Sequence, residues 1–474
     1  MLRKTCFFLL LVLLACGVVG YNLYRSGNLQ KAIVAEVGKN LTSDKNSLAA
    51  LPTILGFDGP RNYLILFLNN TEIRPGGGFI GAYGVVTVEK GKPQIIKIEG
   101  TEILDSAAGK NIGTVPPNPI KDYVGVESWY FRDSNWSPDF AVSARQSLEL
   151  YQKENGVLAE KIDGVIGFTP TLIEEVLKII GPLSVNNEQF TAQNFTEKLE
   201  YEVEYGYTAK GQTKPERKQL ISDLAAAFLD NTKSNIFKNW SKYLPLMEKM
   251  IQEKQLMVWS SDKSLQTLVS QNNWSGEMKS SVGDYVLWVD ANLGALKTDV
   301  AIIRELDYSI IPSSTTYIAT AKMKFIHNGV FDWRTTRYRD YARVYVPTGS
   351  KLIKTVGSME EDRSLKTGVT DSGIENDRQW FGAFIAIEPG KIGELTFQYI
   401  LPQFIVDQIK AGEYNLLAQK QLGMVNAKLN LNLDFGKSVM SAAPGEDQKN
   451  WGNNKYNFAT DWQTDKTFSS KIKN

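Results

Sequence analysis

The apolar run Asn62-Tyr63-Leu64-Ile65-Leu66-Phe67-Leu68 leads directly into the loop Asn69-Asn70-Thr71-Glu72-Ile73-Arg74-Pro75-Gly76-Gly77-Gly78-Phe79. A continuous apolar run of this length is typical of a β-strand that is buried on both faces. A polar, glycine-rich loop at the end of such a strand is where α/β folds tend to place ligands. This junction therefore predicts a mixed α/β domain with a candidate site in the loop.

The segments on both sides extend the same domain. A turn at 90–93 between two alternating runs predicts a hairpin of strands 79–88 and 94–98, and residues 162–168 predict a further strand. The stretch 101–128 is rich in Gly and Pro and is expected to be a loop. Apolar spacing and terminal signals predict helices at 140–155, 170–180, 191–201, 217–231, 241–254 and 262–271. We therefore expect an α/β (α+β) domain over 53–295.

After residue 295 the pattern changes to short alternating runs separated by turns. These runs lie at 317–326, 341–346, 379–387, 395–401, 414–419 and 428–433, and the tail 456–473 alternates as well. Such spacing is typical of an antiparallel sandwich. The sequence therefore predicts an all-β, immunoglobulin-like sandwich over 296–474. One of its strands carries Arg337, Arg339, Tyr341, Arg343 and Tyr345 on a single face, which favours a solvated strand face over contact with a glycan or lipid headgroups.

The N-terminus begins with a basic pair followed by an apolar run. Arg3 and Lys4 precede the segment 5–24, whose roughly 20 residues would span about 30 Å as a helix, the thickness of a bilayer's hydrocarbon core. Positive charge before the apolar run predicts a single-pass anchor, with the rest of the chain on the extracytoplasmic side. Two alternatives remain: a lipoprotein signal with lipid on Cys16, or a cleaved secretory signal. Residues 1–24 are thus a transmembrane anchor or lipoprotein signal, and 25–52 are expected to be a stalk helix.

Composition excludes several classes of chemistry. The chain has 474 residues, 43% of them apolar and 22% charged, and a net charge of +1, so no global field favours nucleic acid as a partner. Cys6 and Cys16 are the only cysteines and His327 is the only histidine. Disulfides, thiolate metal sites and histidine clusters are therefore excluded from the body. Any catalysis must use carboxylates, Arg, Lys and backbone groups.

The glycine-rich loop has the features of an anion site. Gly76, Gly77 and Gly78 allow the backbone N–H groups to converge in a nest that binds anions, and Arg74 adds a forked donor suited to phosphate. The alternative is a tight structural turn in which Arg74 pairs with a nearby acid.

Two further stretches carry candidate side chains. Arg132, Asp133 and Asp139 precede or open the helix predicted at 140–155, where they would position an anion and a cation together or simply cap the helix. Arg217 opens another predicted helix, where a basic group opposes the helix dipole and is therefore a candidate anion ligand.

These stretches resemble a bacterial membrane-anchored envelope family of unknown function. The shared motif is a loop of the form Asn-x-x-Glu-x-Arg-Pro-x-Gly-Gly-Phe, matched here by residues 69–79, and the resemblance extends over most of 60–435. That family is distantly similar to the LytR–CpsA–Psr phosphotransferases, which transfer glycopolymers from polyprenyl-pyrophosphate carriers to the cell wall. The order of elements is also similar, with Arg74 and Arg217 at the positions of two phosphate-binding arginines.

The resemblance implies two alternative functions. As an enzyme, the chain would bind the pyrophosphate of a lipid-linked glycan through Arg74, Arg132, Arg217 and the loop amides, with Glu72, Asp133 or Asp139 holding Mg²⁺ or activating the acceptor. As a non-catalytic envelope binding or structural protein, it would have kept the fold and lost the metal site. The enzymes carry an Asp where this chain has Gly76, and an Arg-Asp pair where it has 98–101, Ile-Glu-Gly-Thr. These departures favour a non-catalytic protein over an enzyme. The resemblance still implies that the protein works on envelope glycopolymers.

Overall fold

The structure, a computed structural model, describes residue 50 and residues 52–473 except 111, 210 and 212–218. The predicted anchor 1–24 lies outside the described residues, and so does the predicted stalk apart from residues 50 and 52. No helix in the described part is long and apolar enough to cross a membrane. The described chain has a mixed α/β fold with several β-sheets, as the sequence predicts.

Helices and strands alternate in the first part of the chain, and strands dominate the second. The strands are β1 Arg61–Asn69, β2 Phe79–Glu89, β3 Lys92–Gly100, β4 Gly164–Phe168, β5 Leu183–Val185, β6 Glu188–Phe190, β7 Leu256–Ser260, β8 Asp284–Val289, β9 Ile302–Ser313, β10 Thr316–His327, β11 Tyr338–Pro347, β12 Lys351–Val356, β13 Asp371–Glu375, β14 Arg378–Ile387, β15 Ile392–Ile400, β16 Glu413–Ala418, β17 Ala427–Asp434, β18 Val439–Ala443, β19 Lys455–Asp461 and β20 Lys466–Ile472. The helices are α1 Thr101–Ala108, α2 Asn118–Val124, α3 Phe140–Lys153, α4 Pro170–Ile180, α5 Phe195–Tyr201, α6 Gln219–Gln252, α7 Lys263–Gln271 and α8 Gln403–Lys410.

The chain divides into two compact units. The α/β unit comprises the described residues up to 69 together with 79–116 and 127–277. The sandwich unit comprises 70–78, 117–126 and 278 onwards. The glycine-rich loop therefore belongs to the sandwich unit, although the strands on either side of it belong to the α/β unit.

The α/β unit is built on a five-stranded sheet in the order β3-β2-β1-β4-β7. The apolar run that predicts a buried strand is β1, which lies at the centre, antiparallel to β2 and parallel to β4. Its inward side chains pack with α4 and the C-terminal half of α6 in a core that includes Ile65, Val176 and Met250. The central position of β1 is the reason that its residues are apolar on both faces.

Several element boundaries differ from the sequence prediction. Residues 101–128, predicted to be a loop, contain the helices α1 and α2. The helices predicted at 217–231 and 241–254 both lie within α6, where two helices meet at a kink at Asn239 (φ −119°, ψ 15°). Both α1 and α2 have eight residues or fewer, which is too short for a clear helical period. The Gly and Pro residues around them therefore lead the sequence prediction to a loop.

The sandwich unit has a six-stranded sheet, β12-β15-β10-β9-β17-β19, and a seven-stranded sheet, β13-β14-β11-β8-β16-β20-β18. Apolar side chains from both sheets form one core, with Leu306 and Phe397 from the first and Val344 and Leu416 from the second. Two pairings, β17 with β9 and β16 with β8, are parallel rather than antiparallel. Strand β8 belongs to this sheet, and the longest continuous part of the unit begins at residue 278.

Candidate functional site

The glycine-rich loop is fixed in the sandwich unit by its own backbone. The N–H of Ile73 donates to Asp299 Oδ2 over 3.0 Å, and the carbonyl of Thr71 accepts from the N–H of Asp299 over 3.2 Å. The carbonyl of Ile73 accepts from the N–H of Asn292 over 3.0 Å. At the start of the loop, Asn70 Nδ2 donates to the carbonyl of Gly423 over 3.0 Å. The loop is therefore held by hydrogen bonds to three connecting segments of the sandwich unit, at residues 292, 299 and 423.

Arg74 lies inside this arrangement. It is 3% exposed, and its Nη2 lies 3.6 Å from Glu72 Oε1. Its carbonyl accepts from Gln421 Nε2 over 3.3 Å and from the N–H of Gly77 over 2.9 Å. This is the alternative that the sequence left open, a structural turn in which Arg74 pairs with a nearby acid.

The glycine run is buried as well. Gly76, Gly77 and Gly78 are all buried, and the last two have φ of 115° and 152°. A Cβ placed on Gly423 would lie 1.8 Å from the carbonyl oxygen of Gly77, so the two backbones touch. Contact of this kind takes up the surface that a phosphate would need in order to reach the loop.

Asp299 also belongs to a buried ionic network beneath the loop. Its Oδ1 accepts from the Tyr338 hydroxyl over 3.0 Å and pairs with the guanidinium of Arg304, which also binds Asp290. Burial raises the pKa of Asp290 and holds that of Asp340 well above its usual range. These side chains are almost fully buried and face one another, so their role is to shape the sandwich and carry the loop.

A second cluster lies in the α/β unit. Asp105 on α1 is buried, and Arg132 Nε lies 3.2 Å from its Oδ2 and 3.6 Å from Asp133 Oδ2. Glu154, the C-cap of α3, is also buried and accepts from the N–H of Phe131 over 2.7 Å. Burial, followed by the charge of Glu154, raises the pKa of Asp105 to about 9, and burial also raises that of Glu154. Burial and the neighbouring carboxyl therefore favour the protonated form of Asp105.

This acid pair gives the cluster a definite chemical character. A protonated carboxyl beside a carboxylate is the arrangement that general acid–base catalysis uses. Arg132, whose side chain is 31% exposed, is the member of the cluster with the largest contact with solvent and lies over the ring of Tyr130. Arg132 is the single cation in a cluster that contains three carboxyl groups, those of Asp105, Asp133 and Glu154, and this excess of acids disfavours pyrophosphate.

Mg²⁺, the metal that the resemblance implies, does not fit this cluster. The guanidinium of Arg132 lies 3.2 Å from Asp105 Oδ2 and 3.6 Å from Asp133 Oδ2, the carboxylate oxygens that a hard cation would need as ligands. Among the described residues, no group of three or more Asp, Glu, His or Cys side chains is arranged to hold a metal ion.

Asp139 is the N-cap of α3. Its carboxylate accepts from the N–H of Val142 over 3.1 Å, and its own N–H donates to Ser137 Oγ over 3.2 Å. Ser143 Oγ in turn donates to the carbonyl of Ser137 over 2.8 Å. The capping interpretation therefore accounts for the geometry of both Asp139 and Ser137.

The predicted site residues fall in different parts of the chain. Glu72, Arg74 and the three glycines belong to the sandwich unit, and Arg132, Asp133 and Asp139 belong to the α/β unit. Arg217 lies outside the described residues. In the α/β unit, the structure brings Arg132 and Asp133 together with two residues that sequence reasoning missed, Asp105 and Glu154. The missed signal is the apolar spacing of the short helix α1, which follows β3 without a break.

The basic and aromatic face of β11 is paired with acids. Arg337 Nε lies 2.7 Å from Glu388 Oε1, and Arg337 Nη1 and Arg339 Nε lie 2.9 and 3.1 Å from the carboxylate of Asp362. Arg343 Nη1 lies 3.7 Å from Glu375 Oε2. The positive charge along this face is thus balanced within the sandwich unit. The prediction of a solvated face is wrong, because Tyr341, Arg343 and Tyr345 are buried.

Comparisons with known proteins give one family match, over part of the chain, and several weak structural similarities. Residues 58–204 match the family described as "Protein of unknown function (DUF4012)". No curated protein matches the chain. Among solved structures, a candidate nutrient binding protein from Legionella pneumophila is 8% identical, over 40% of this chain and 72% of its own, with a TM-score of 0.23. An M1 zinc metallopeptidase from Deinococcus radiodurans is 10% identical, over 40% and 43%, with a TM-score of 0.18, so the chain spans less than half of that enzyme. The match over 58–204 covers β1, the glycine-rich loop and the acid pair.

Proposed function

We propose that the chain is a non-catalytic, membrane-anchored protein of the bacterial cell envelope that binds a lipid-linked glycan or cell-wall polymer on the extracytoplasmic side. In this proposal the α/β unit has the fold of the LytR–CpsA–Psr phosphotransferases, and the second unit is an immunoglobulin-like sandwich. The N-terminal segment 5–24 supplies the anchor.

The observation that carries the non-catalytic character is the state of the Arg74 loop. A phosphate-binding arginine must present its guanidinium to a ligand, whereas Arg74 is 3% exposed and pairs with Glu72. The N–H of Ile73 donates to Asp299, and the carbonyls of Thr71 and Ile73 accept from the N–H groups of Asp299 and Asn292. Phosphate binding at Arg74 would have to displace Glu72, which removes the attraction within a largely buried ion pair.

A second candidate function, glycopolymer transfer, is favoured by the Asp105–Glu154 pair. A carboxyl that keeps its proton up to about pH 9 can protonate a leaving oxygen, and the adjacent carboxylate can receive a proton. The three carboxyl groups of this cluster oppose a pyrophosphate substrate, so we rank glycopolymer transfer below the binding function.

The full chain, reconstituted in lipid vesicles, tests both functions with one substrate. The substrate is a polyprenyl-pyrophosphate-linked oligosaccharide with Mg²⁺, and the readouts are its retention by the protein and the release of polyprenyl phosphate. We expect retention without turnover, unchanged in Arg74→Lys. Arg363→Lys, at a side chain that is 71% exposed, is the matched control.

Three outcomes separate the functions. Turnover that disappears in Asp105→Asn establishes transfer at the acid pair. If turnover disappears in Arg74→Lys while the variant still folds, the glycine-rich loop binds the phosphate of the substrate. If the vesicle-bound protein retains no glycan, the binding function is wrong.

A further inference from the structure

The chain contains two Asn-Gly pairs, Asn155-Gly156 in the α/β unit and Asn328-Gly329 in the sandwich unit. In such a pair the backbone nitrogen of the glycine can attack the side-chain amide of the asparagine, because glycine has no Cβ to shield that nitrogen. Both asparagines are exposed. The two pairs therefore have the same covalent chemistry and differ in their surroundings.

The surroundings of Gly329 bring a base to its nitrogen. The N–H of Gly329 donates to Nδ1 of His327 over 3.1 Å. Nε2 of the same ring lies 2.7 Å from the carbonyl oxygen of Thr336. Because a backbone N–H can only donate and a carbonyl can only accept, these partners assign the neutral tautomer with the proton on Nε2. The lone pair of Nδ1 is therefore directed at the N–H of Gly329.

His327 is fixed in this position by its own backbone and by close packing. Its ring is buried, its N–H donates to the carbonyl of Lys391 over 3.0 Å, and its carbonyl accepts from the N–H of Gly390 over 2.9 Å. A Cβ placed on Gly329 would lie 2.9 Å from Cε1 of His327, so the glycine packs directly against the ring. The imidazole is thus positioned before any reaction, which is the condition under which a general base is effective.

Gly156 has a different partner. Its N–H donates to the carbonyl of Tyr151 over 2.9 Å. A carbonyl oxygen accepts this hydrogen bond but is far too weak a base to take up the proton. The pair Asn155-Gly156 is therefore an internal control for Asn328-Gly329 within the same molecule.

We propose that Asn328 is a self-modification site, at which His327 is the general base that converts the asparagine to aspartate and isoaspartate. The nitrogen of Gly329 gives its proton to Nδ1 of His327 and forms a bond to Cγ of Asn328, while the bond from Cγ to Nδ2 breaks. The proton on Nδ1 passes to the leaving nitrogen, which departs as ammonia, and a succinimide ring remains. Water then opens the ring at either carbonyl carbon and yields aspartate or isoaspartate.

The conversion changes both the charge and the length of the main chain after β10. A neutral amide becomes a carboxylate, and isoaspartate adds one methylene group to the backbone between Asn328 and Gly329. The N–H of Asn328 donates to the carbonyl of Ala301 over 2.9 Å, so this side of the insertion is held in place while the N–H of Gly329 is displaced from His327. The modification is irreversible and is independent of the proposed glycan binding.

Peptide mapping of the full chain by mass spectrometry measures the conversion at both pairs in one sample, and electron-transfer fragmentation separates isoaspartate from aspartate. The chain is incubated in detergent at neutral pH, folded in one sample and unfolded by urea in another. In the folded chain we expect conversion at Asn328 to be roughly a hundredfold faster than at Asn155, the lower end of the effect of a positioned general base. In urea the two rates should become similar.

The variant His327→Asn separates the base from the hydrogen bond. The side-chain oxygen of the new residue can accept from the N–H of Gly329 but cannot take up its proton. We expect conversion at Asn328 in this variant to fall to the rate at Asn155.

Three outcomes overturn the proposal. The first is conversion at Asn328 that is no faster than at Asn155 in the folded parent. The second is a rate at Asn328 that is unchanged in folded His327→Asn. The third is a ratio of the two rates that is as large in urea as in the folded parent, which assigns fast conversion to the local sequence. This last comparison decides by itself if the variant does not fold.

Discussion

Asp299 Oδ2 accepts hydrogen bonds from the N–H of Ile73 over 3.0 Å and from Asn292 Nδ2 over 2.8 Å. The other oxygen of the same carboxylate binds Tyr338 and Arg304. One side chain therefore joins the glycine-rich loop to the buried ionic network of the sandwich unit. Its removal would leave Arg304 without one of its two carboxylates and Ile73 without its acceptor.

Replacing Asp299 tests this arrangement. We expect Asp299→Ala to lower the free energy of unfolding by about 3–5 kcal/mol, because it leaves a buried charge and a buried N–H uncompensated. Urea denaturation followed by tryptophan fluorescence measures the change. The control is Asp307→Ala, which removes an exposed pair with Lys322 at 3.2 Å and should change stability by no more than about 1 kcal/mol. Equal effects of the two substitutions would contradict the role given to Asp299.

A substitution at Gly423 tests the close approach of its backbone to that of Gly77. It has φ of +69°, and a Cβ would lie 1.8 Å from the carbonyl oxygen of Gly77, so Gly423→Ala must displace the glycine-rich loop. Gly452→Ala is the matched control, since it has φ of +81° and nothing within 4 Å of the added Cβ. We expect the control to lose only the roughly 1–2 kcal/mol of a left-handed alanine, and Gly423→Ala to lose clearly more. Hydrogen exchange should show faster exchange at Ile73 in the Gly423 variant only.

Asp105 predicts a pH dependence with a definite sign. Its pKa rises from an ordinary 3.8 to about 9 in the folded chain, so between these values the folded state holds a proton that the unfolded state has released. The stability contributed by Asp105 therefore falls as pH rises from about 4 to about 9 and is constant above that. Asp105→Asn keeps a donor for Glu154 and should remove this slope, making the variant more stable than the parent at pH 8.

The measurement is the melting temperature at several pH values between 4 and 10. Glu160→Gln, at an exposed carboxyl, serves as control and should leave the profile of the parent unchanged. A parallel profile for the parent and Asp105→Asn would show that Asp105 does not hold a proton in the folded chain.

The sequence predicts the parts of the fold that have strong local patterns. The strand β1, the helix α4 at 170–180 and most strands of the sandwich unit were predicted from apolar periodicity, since each is long enough to show its period. The helices α1 and α2 were missed, and Asp105 with them, because eight residues or fewer among Gly and Pro residues give no clear period. Local patterns also cannot reveal that the loop 70–78 pairs with residues more than two hundred positions away.

The candidate site was predicted less well, for a related reason. Residue types indicate which groups can bind phosphate, but burial decides whether they are available. Arg74 has the chemistry of a phosphate ligand and is 3% exposed, whereas Glu154 belongs to no motif and is brought near Asp105 only by the fold. The membrane anchor, the glycan and the extracytoplasmic location remain predictions.

Two substitutions at Asp139 distinguish a helix-capping role from a catalytic one. Asp139→Ser keeps a side-chain acceptor for the N–H of Val142 and should retain most of the stability, whereas Asp139→Ala should lose about 1 kcal/mol. Thermal unfolding measures the difference. If Asp139 acts in chemistry, glycan turnover should instead disappear in both variants while stability remains close to the parent.

The position of the glycine-rich loop in the chain also governs when the sandwich unit can be completed. Ile73 and its partner Asp299 are 226 residues apart, and Asn70 and Gly423 are 353 apart. The loop is therefore synthesised long before Asp299 and Gly423, and its hydrogen bonds to them cannot form until those residues have emerged. Folding dominated by such distant pairs is slow. A fragment that ends before residue 299 would consequently leave the loop permanently open to proteases and to aggregation, so the sandwich unit cannot be obtained intact from any contiguous piece that starts after residue 78.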